Sequence, residues 1–337
     1  MHNILVTGGA GFIGSNFINK LLKDRDDVSL VNLDKLTYAG NLENLKESET
    51  NSRYQFVKGD ICNSELVDYI IKKYNIKHVI NFAAESHVDR SILGSQIFYQ
   101  TNVIGTNVLL EVSRRNDIEK FVQVSTDEVY GSLGPDGYFT ESTPISPNSP
   151  YSSSKAGADM MVQAFHHTYG MNVCITRCSN NYGPLQFPEK LIPLMIINAL
   201  NNKQLPVYGD GLNVRDWIFV HDHNKAIEMV WEKGKPGEVY NIGSNNEKKN
   251  IEIVKLILQY LGKGEDLIKY VKDRPGHDRR YAIDSSKITA ELGWQPLKTF
   301  ETGIAETIDW YLANKNWWER IISGEYENYY QNLYGSR

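Results

Sequence analysis

The stretch Ser125, Thr126, Asp127, Glu128 sets two hydroxyls and two carboxyls in succession at the end of an apolar run, and Tyr151 and Lys155 follow four residues apart. That spacing is one helical turn, so a phenol and an ammonium share a face. Tyrosine in water has a pKa of about 10 and is a poor base at neutral pH. A neighbouring ammonium, together with a positively charged nicotinamide ring, would bring it into a useful range. Thr126 is then expected to hydrogen-bond a substrate hydroxyl, and Tyr151 to take its proton as hydride leaves for NAD. Asp127 and Glu128 exceed what simple oxidation needs. Adjacent acids most often make a solvated turn or a helix start. At a strand's carboxyl end, beside a hydride site, they suit an elimination in which one removes a proton next to a ketone and the other protonates a leaving hydroxyl. Like charges in proximity push their pKa values apart, which gives such a pair its two roles. These residues predict oxidation followed by loss of water.

The elements that must position them begin at the N-terminus. Ile4 to Thr7 reads as a short strand, followed at once by Gly8, Gly11 and Gly14 and by Phe12, Ile13, Phe17, Ile18, Leu21 and Leu22 at helical spacing. The next apolar run, Val28 to Leu33, ends in Asp34, twenty positions after Gly14, where a dinucleotide fold places the acid that grips the adenosine ribose. Glycine lets the backbone turn tightly and approach a pyrophosphate held on a helix N-terminus. Asp34 favours NAD over NADP, because a carboxylate repels a ribose phosphate. Strands at 54–57, 78–82, 121–125 and 173–177 alternate with helices, the mark of a doubly wound parallel sheet whose ligands lie at the carboxyl ends of its strands. The loops at Asp60, Ile61 and at 83–91 are such ends, and Thr126 falls at another.

A single long helix is expected over 92–115, apolar on more than one face through Ile97, Phe98, Val103, Ile104, Val108 and Leu110. With the helix opening near Tyr151 it is a candidate subunit interface. The segment between Gly131 and Pro150 is punctuated by proline and glycine and reads as a cover over the site. Alternation fades after Arg177, yet 221–231 and 238–242 read as one more helix and strand of the first domain. The fold class is therefore α/β, a doubly wound parallel (Rossmann) sheet with a smaller, interleaved C-terminal substrate domain: 1–178 plus 214–242 for the cofactor, 179–213 plus 243–337 for the substrate. The polar loop 273–281 is too rich in donors to be mere connection. The aromatic tail from Trp317 through Tyr334 reads as self-packing.

The formal charge of -5, with 36 Lys and Arg against 41 Asp and Glu and no basic run, argues against nucleic acid or an anionic membrane as partner. No apolar run approaches a membrane span, and no signal peptide is read at the N-terminus. Cys62, Cys174 and Cys178 form no Cys-x-x-Cys pair, so free thiols in a reducing cytoplasm are expected. His221 and His223 have His-x-His spacing without a third ligand in view, so no metal is expected, and Asp222 reads as a helix cap.

On TGGAGFIG, AAESHVDRS, STDEVYG, YSSSK, CSNNYGP, FPEKLIP, NVRDWI and DRPGHDRRY the chain resembles the dTDP-glucose 4,6-dehydratase family of extended short-chain dehydrogenases/reductases over nearly its whole length. The resemblance implies NAD as cofactor, a nucleotide-sugar substrate and a homodimer. It implies that Tyr151 is the base for oxidation at C4, that Glu128 removes the C5 proton, and that Asp127 protonates the departing C6 hydroxyl. Cofactor contacts are implied for Gly8, Gly11, Phe12, Ile13, Gly14, Asp34, Lys35, Leu36, Thr37, Asp60, Ile61, Ala83, Ala84, Thr101, Tyr151, Lys155 and Asn181. Substrate contacts are implied for Ser86, Thr126, Asn180, Lys190, Leu191, Pro206, Tyr208, Arg215, Asn250, Arg274 and His277. The runner-up within the enzymes is a 4-epimerase or a dehydratase of a UDP or CDP sugar; outside them, a non-catalytic dinucleotide-binding regulator.

Overall fold

In the computed structural model, which describes residues 1–322, a seven-stranded sheet of parallel strands carries the chain's first half. Its strands are β1 (His2–Thr7), β2 (Val28–Asp34), β3 (Tyr54–Lys58), β4 (His78–Asn81), β5 (Lys120–Thr126), β6 (Val173–Cys178) and, after three intervening strands, β10 (Val239–Ile242). The spatial order is β10-β6-β5-β4-β1-β2-β3. The order reverses between β1 and β4, where Val6 pairs with Ile80 on one side and Asn32 on the other, so a crevice opens at the carboxyl ends of those strands.

Both faces of this sheet are apolar because both are covered. Ile4 and Val6 point into one core with Phe17, Ile18 and Leu21 of the helix Phe12–Asp24. Leu5 between them points into the other, with Ile70, Ile71 and Leu109. Alternate residues of one strand thus fix helices on opposite faces.

A second, smaller assembly follows. Strands β7 (Asn180–Tyr182), β9 (Val214–Phe219) and β11 (Glu247–Lys249) form a three-stranded sheet, and β8 (Leu205–Tyr208) pairs with β12 (Ile268–Val271). Its core gathers Tyr182, Trp217, Phe219, Phe300 and Trp318 around the helices Leu191–Leu200 and Asn250–Tyr260. The expected boundary at 214 falls on a strand that serves both cores: Trp217 and Phe219 face the smaller one, and Ile218 between them packs with Ala226 and Ile227 in the larger.

The helix expected over 92–115 is not continuous. A helix over Val88–Leu93 stops at Gly94, whose backbone is extended, and a π-helical turn over Tyr99–Gly105 precedes the regular helix Thr106–Arg115. The apolar side chains expected to be buried all round divide: Phe98 and Leu110 are buried, whereas Leu93, Ile97 and Ile104 are 76%, 44% and 46% exposed. Asp222 does not cap its helix; from the first turn of Val220–Lys233 its carboxylate accepts from the Lys298 backbone N–H at 2.9 Å and holds the segment leading to the next helix. Tyr326, Tyr329, Tyr330 and Tyr334 of the expected aromatic cluster lie outside the described residues; Trp317 and Trp318 are buried. No described helix is long and apolar enough to cross a membrane.

Candidate active site

The glycine turn after β1 is built for close approach. Gly8 has φ +69, and a Cβ there would lie 2.6 Å from the Ala83 backbone nitrogen; one at Gly14 would lie 2.6 Å from the Gly8 carbonyl oxygen. Only a backbone without side chains can make that cradle. It leads into the helix Phe12–Asp24, whose first turn has no side-chain cap, so its N–H groups are left for an anion. At the end of β2, Asp34 is buried and accepts from the N–H of Ala10 at 2.9 Å and of Leu36 at 2.8 Å. A carboxylate has further lone pairs to offer a ribose hydroxyl. Burial raises its pKa, against the pull of those two N–H groups. Lys35 pairs with Asp60 at 2.8 Å across the β2 and β3 ends. A dinucleotide fits this cradle: donors for its phosphates, an acceptor for its ribose, no side chain in the way.

This cleft of about 300 Å³ brings together all the expected cofactor residues except Leu36, and it runs on to Thr126, Asp127, Glu128, Tyr151 and Lys155. Leu36 contributes only its N–H, to Asp34; its side chain packs against the larger core. A second cavity of about 170 Å³ holds Ser86, Asn180, Lys190, Leu191, Pro206, Tyr208, Arg215, Asn250, Arg274 and His277. Glu128, Ser86, Asn180, Asn181, Gln186 and Lys190 line both, so the two spaces adjoin at the carboxyl pair. Of the expected substrate residues only Thr126 lines the first cavity and not the second.

Each reactive side chain has its own support. Thr126 ends β5, its hydroxyl accepting from the Glu128 N–H at 3.2 Å and donating to Asp127 at 3.3 Å. It thereby starts a short 3-10 turn, Asp127–Tyr130. The turn is anchored from behind: Tyr130 donates to Asn241 of β10 at 2.8 Å, accepts from Arg177 at 3.0 Å and stacks on Phe139. Arg177 in turn pairs with buried Asp159 at 2.9 Å. Tyr151 and Lys155 lie in the first turns of the helix Pro150–Tyr169, which opens with a reciprocal capping box between Ser149 and Ser152 and with Pro150 at its first position. Asn102 of the π-helical turn binds the Glu85 N–H at 2.9 Å, its carbonyl at 3.0 Å and Ser154 at 2.8 Å, tying the β4 loop to that helix.

Electrostatics divides the two carboxyls. Asp127 is 2% exposed. Its pKa is driven well above the usual carboxylate range by burial and then by the like charges of Glu128 and Asp216, with Arg215 opposing. Its Oδ2 is buried without a hydrogen-bond partner, as suits a protonated acid. Glu128 is also raised by burial, but three cations, Arg274, Arg215 and Lys190, pull it back. Those cations are themselves tethered: Lys190 donates to the Ser86 carbonyl at 2.9 Å, Arg215 to the Asp278 carbonyl at 2.8 Å, and Arg274 faces Asp89 at 3.5 Å. Burial, with Arg274 and Arg215, holds His277 down to about 4. Side-chain atoms of Arg274 and Asn250 are buried without partners beside this space.

In the protein alone the Lys155 ammonium donates to the Val124 carbonyl at 2.7 Å, while burial, followed by Glu128 and Cys178, pushes the Tyr151 phenol well above its ordinary value; the lowering expected of Lys155 and the nicotinamide charge together belongs to the cofactor-bound protein. Burial lowers the Lys155 pKa as well. His221 and His223 do not converge; they face Asn16 at 3.2 Å and Asn181 at 2.8 Å. The stretches AAESHVDRS, FPEKLIP and NVRDWI contain Asp89, Glu189 and Asp216, but sequence reasoning gave these carboxylates no role; in the fold they bear on Arg274, Lys190 and Asp127.

The family model of GDP-mannose 4,6 dehydratase matches residues 5–307. The chain is 56% identical over 340 residues to a dTDP-glucose 4,6-dehydratase of Xanthomonas campestris, covering 96% of each. Among solved structures it is similar to the Bacillus anthracis dTDP-glucose 4,6-dehydratase in complex with NAD, at 55% identity and a TM-score of 0.90, covering 95% of this chain and 100% of that one. The Streptomyces venezuelae enzyme DesIV, also a dTDP-glucose 4,6-dehydratase with NAD bound, is 47% identical, with a TM-score of 0.92 over 95% and 99% of the two chains.

Proposed function

The chain belongs to the dTDP-glucose 4,6-dehydratases, within the family described as GDP-mannose 4,6 dehydratase, and on that premise we propose how its residues divide the reaction. It is an NAD-dependent dehydratase that turns dTDP-glucose into dTDP-4-keto-6-deoxyglucose. NAD, when bound, would supply the acceptor for the C4 hydride and the donor of that hydride at C6, with none consumed. Gly8, Gly11, Phe12, Ile13 and Gly14 would hold its pyrophosphate, and Asp34 its adenosine ribose.

The observation that carries the reading is the pair of buried Asp127 and half-buried Glu128 on one turn, with unlike surroundings, Glu128 lining both cavities. Tyr151 takes the C4 hydroxyl proton, with Thr126 holding the oxygen. A phenol raised by burial needs a cation to release its proton, and the nicotinamide charge complements Lys155 there. Glu128, the carboxyl that three cations keep closer to ionised, removes the C5 proton, now acidic beside the C4 ketone. Asp127, the carboxyl that burial and then like charges keep protonated, gives its proton to the C6 hydroxyl, which leaves as water. With hydride returned at C6, protonated Glu128 gives its proton to C5; the product keeps the C4 ketone, so the proton taken by Tyr151 is released to water and Asp127 is reprotonated from water before the next turn. Buried Arg215 and half-buried Lys190 and Arg274 offer donors to the diphosphate.

The segments 1–178 plus 214–242 are assigned to the cofactor and 179–213 plus 243–337 to the nucleotide sugar. A homodimer is inferred from the exposed apolar residues Leu93, Ile97 and Ile104. Three free cysteines agree with a reducing cytoplasm.

The test is to incubate purified protein with dTDP-glucose, without added NAD, and to follow the sugar by NMR. A C6 methyl signal beside a C4 ketone is expected. Asp127→Asn with Glu128→Gln should abolish that methyl; a double variant that still makes it would sink the assignment, and one that interconverts C4 epimers at the wild-type rate would make the chain an epimerase.

A further inference from the structure

The residues that make the chemistry leave unused one cluster gathered about a buried carboxylate. Tyr38 stands in the loop after β2, between Thr37 and Ala39, both of which line the cofactor cleft. Glu189 stands in the segment before the helix Leu191–Leu200, beside Phe187 and Lys190, which line the same cleft from the other assembly. Arg90, on the helix Val88–Leu93, lies between them. Its guanidinium carbon sits 3.9 Å over the Tyr38 ring centroid, and its Nε donates to Glu189 at 3.1 Å. The Tyr38 and Phe187 rings meet edge to face at 5.6 Å. The Glu189 carboxyl is 2% exposed.

Three segments that are far apart in sequence therefore close on one another across the rims of a single cleft. A cation stacked on a ring and paired with a buried carboxylate is a strong contact, because little water screens it. Glu189 also lines the second cavity, but none of the four belongs to the reactive set Thr126, Asp127, Glu128, Tyr151 and Lys155. Their position fits a different need, set by the reaction proposed above: a hydride that leaves C4 must still be on the same cofactor when C6 is ready for it.

We propose that Tyr38, Arg90, Phe187 and Glu189 form a bridge over the cofactor cleft that holds NAD through successive turnovers, acting on dissociation of the cofactor and not on the chemical steps. This rests on the dehydratase reading, since only a cofactor that is restored each cycle gains from being retained. The bridge residues are positioning residues. They couple the loop that carries Asp34 and Lys35 to the segment that carries Lys190, so opening one rim requires breaking contacts with the other.

The experiment compares wild type with Tyr38→Ala and with Glu189→Gln, the second keeping the side-chain shape should the first fail to fold. NAD content per purified chain is measured after denaturation, exchange is followed with isotopically labelled NAD, and turnover of dTDP-glucose is measured with and without added NAD. Loss of one stacked cation or one edge-to-face ring should speed exchange about tenfold. The variants should be purified with less NAD than wild type, and saturating NAD should restore their kcat. Tyr38→Phe, which keeps the ring but loses the hydroxyl's hydrogen bond with Glu189, should exchange faster than wild type and more slowly than Tyr38→Ala. Folded variants whose NAD content and exchange match wild type would overturn the bridge and leave the dehydratase standing. A wild-type chain that neither carries nor binds NAD would remove both.

Discussion

At the scale of single residues, the division of labour between Asp127 and Glu128 depends on neighbours that other segments of the chain bring to them. Glu128 has cations about it, while Asp127 has Asp216, held in place by the N–H groups of Asn246 at 2.7 Å and Ser244 at 3.1 Å. A general acid works while protonated, so activity falls as pH rises through its pKa. After burial and Glu128, Asp216 is the next cause that raises Asp127. Asp216→Asn should therefore move the alkaline limb of the kcat profile to lower pH with the acid limb in place; a limb that stays put would show that Asp216 does not act on Asp127. The reactive set itself was legible in sequence, because Thr126, Asp127, Glu128, Tyr151 and Lys155 are adjacent or one turn apart. Asp216 and Glu189 were not, since they reach the site only after chain segments far apart are folded together.

At the scale of elements, the placement of Tyr151 and Lys155 hangs on the start of one helix. Ser149 and Ser152 satisfy each other's backbone donors at 3.0 Å in both directions. Ser149→Ala should cost about 1 kcal/mol of stability by removing this cap, and because the catalytic pair sits in the frayed turn, kcat should fall while the NAD content stays near wild type. Chemical denaturation and turnover on one preparation would check both parts, and unchanged kcat would mean that tertiary contacts alone hold the turn. The parallel strands were readable because strands buried on both faces are continuous apolar runs. The small sheet was not: β11 is Glu247–Lys249, polar throughout, and exists through pairing with β9. The helix over 92–115 misled because its composition gives no sign of the π-helical turn. That turn is where Asn102 reaches Glu85 and Ser154 and where Thr101 meets the cleft, in keeping with the association of such turns with functional sites.

At the scale of the whole molecule, the exposed Leu93, Ile97 and Ile104 lie along consecutive helical segments that pack beside the helix Pro150–Tyr169. If a second copy covers them, Ile104→Lys should yield a monomer by sedimentation; a wild-type chain that is monomeric at working concentration would remove the homodimer. The shared strand β9 and the late strand β10 have a further bearing, on how the chain is made. β6 ends at Cys178, but its outer neighbour β10 begins at Val239, after the whole of β7 to β9. A nascent chain leaves the ribosome at roughly 5 to 20 residues per second, so for some seconds β6 stands as an open edge with an unmatched row of backbone donors and acceptors. The last strand of the sheet that binds the cofactor is thus delivered only after part of the substrate lobe has been synthesised, and that interval is when the chain is most open to pairing with another copy or to needing a chaperone.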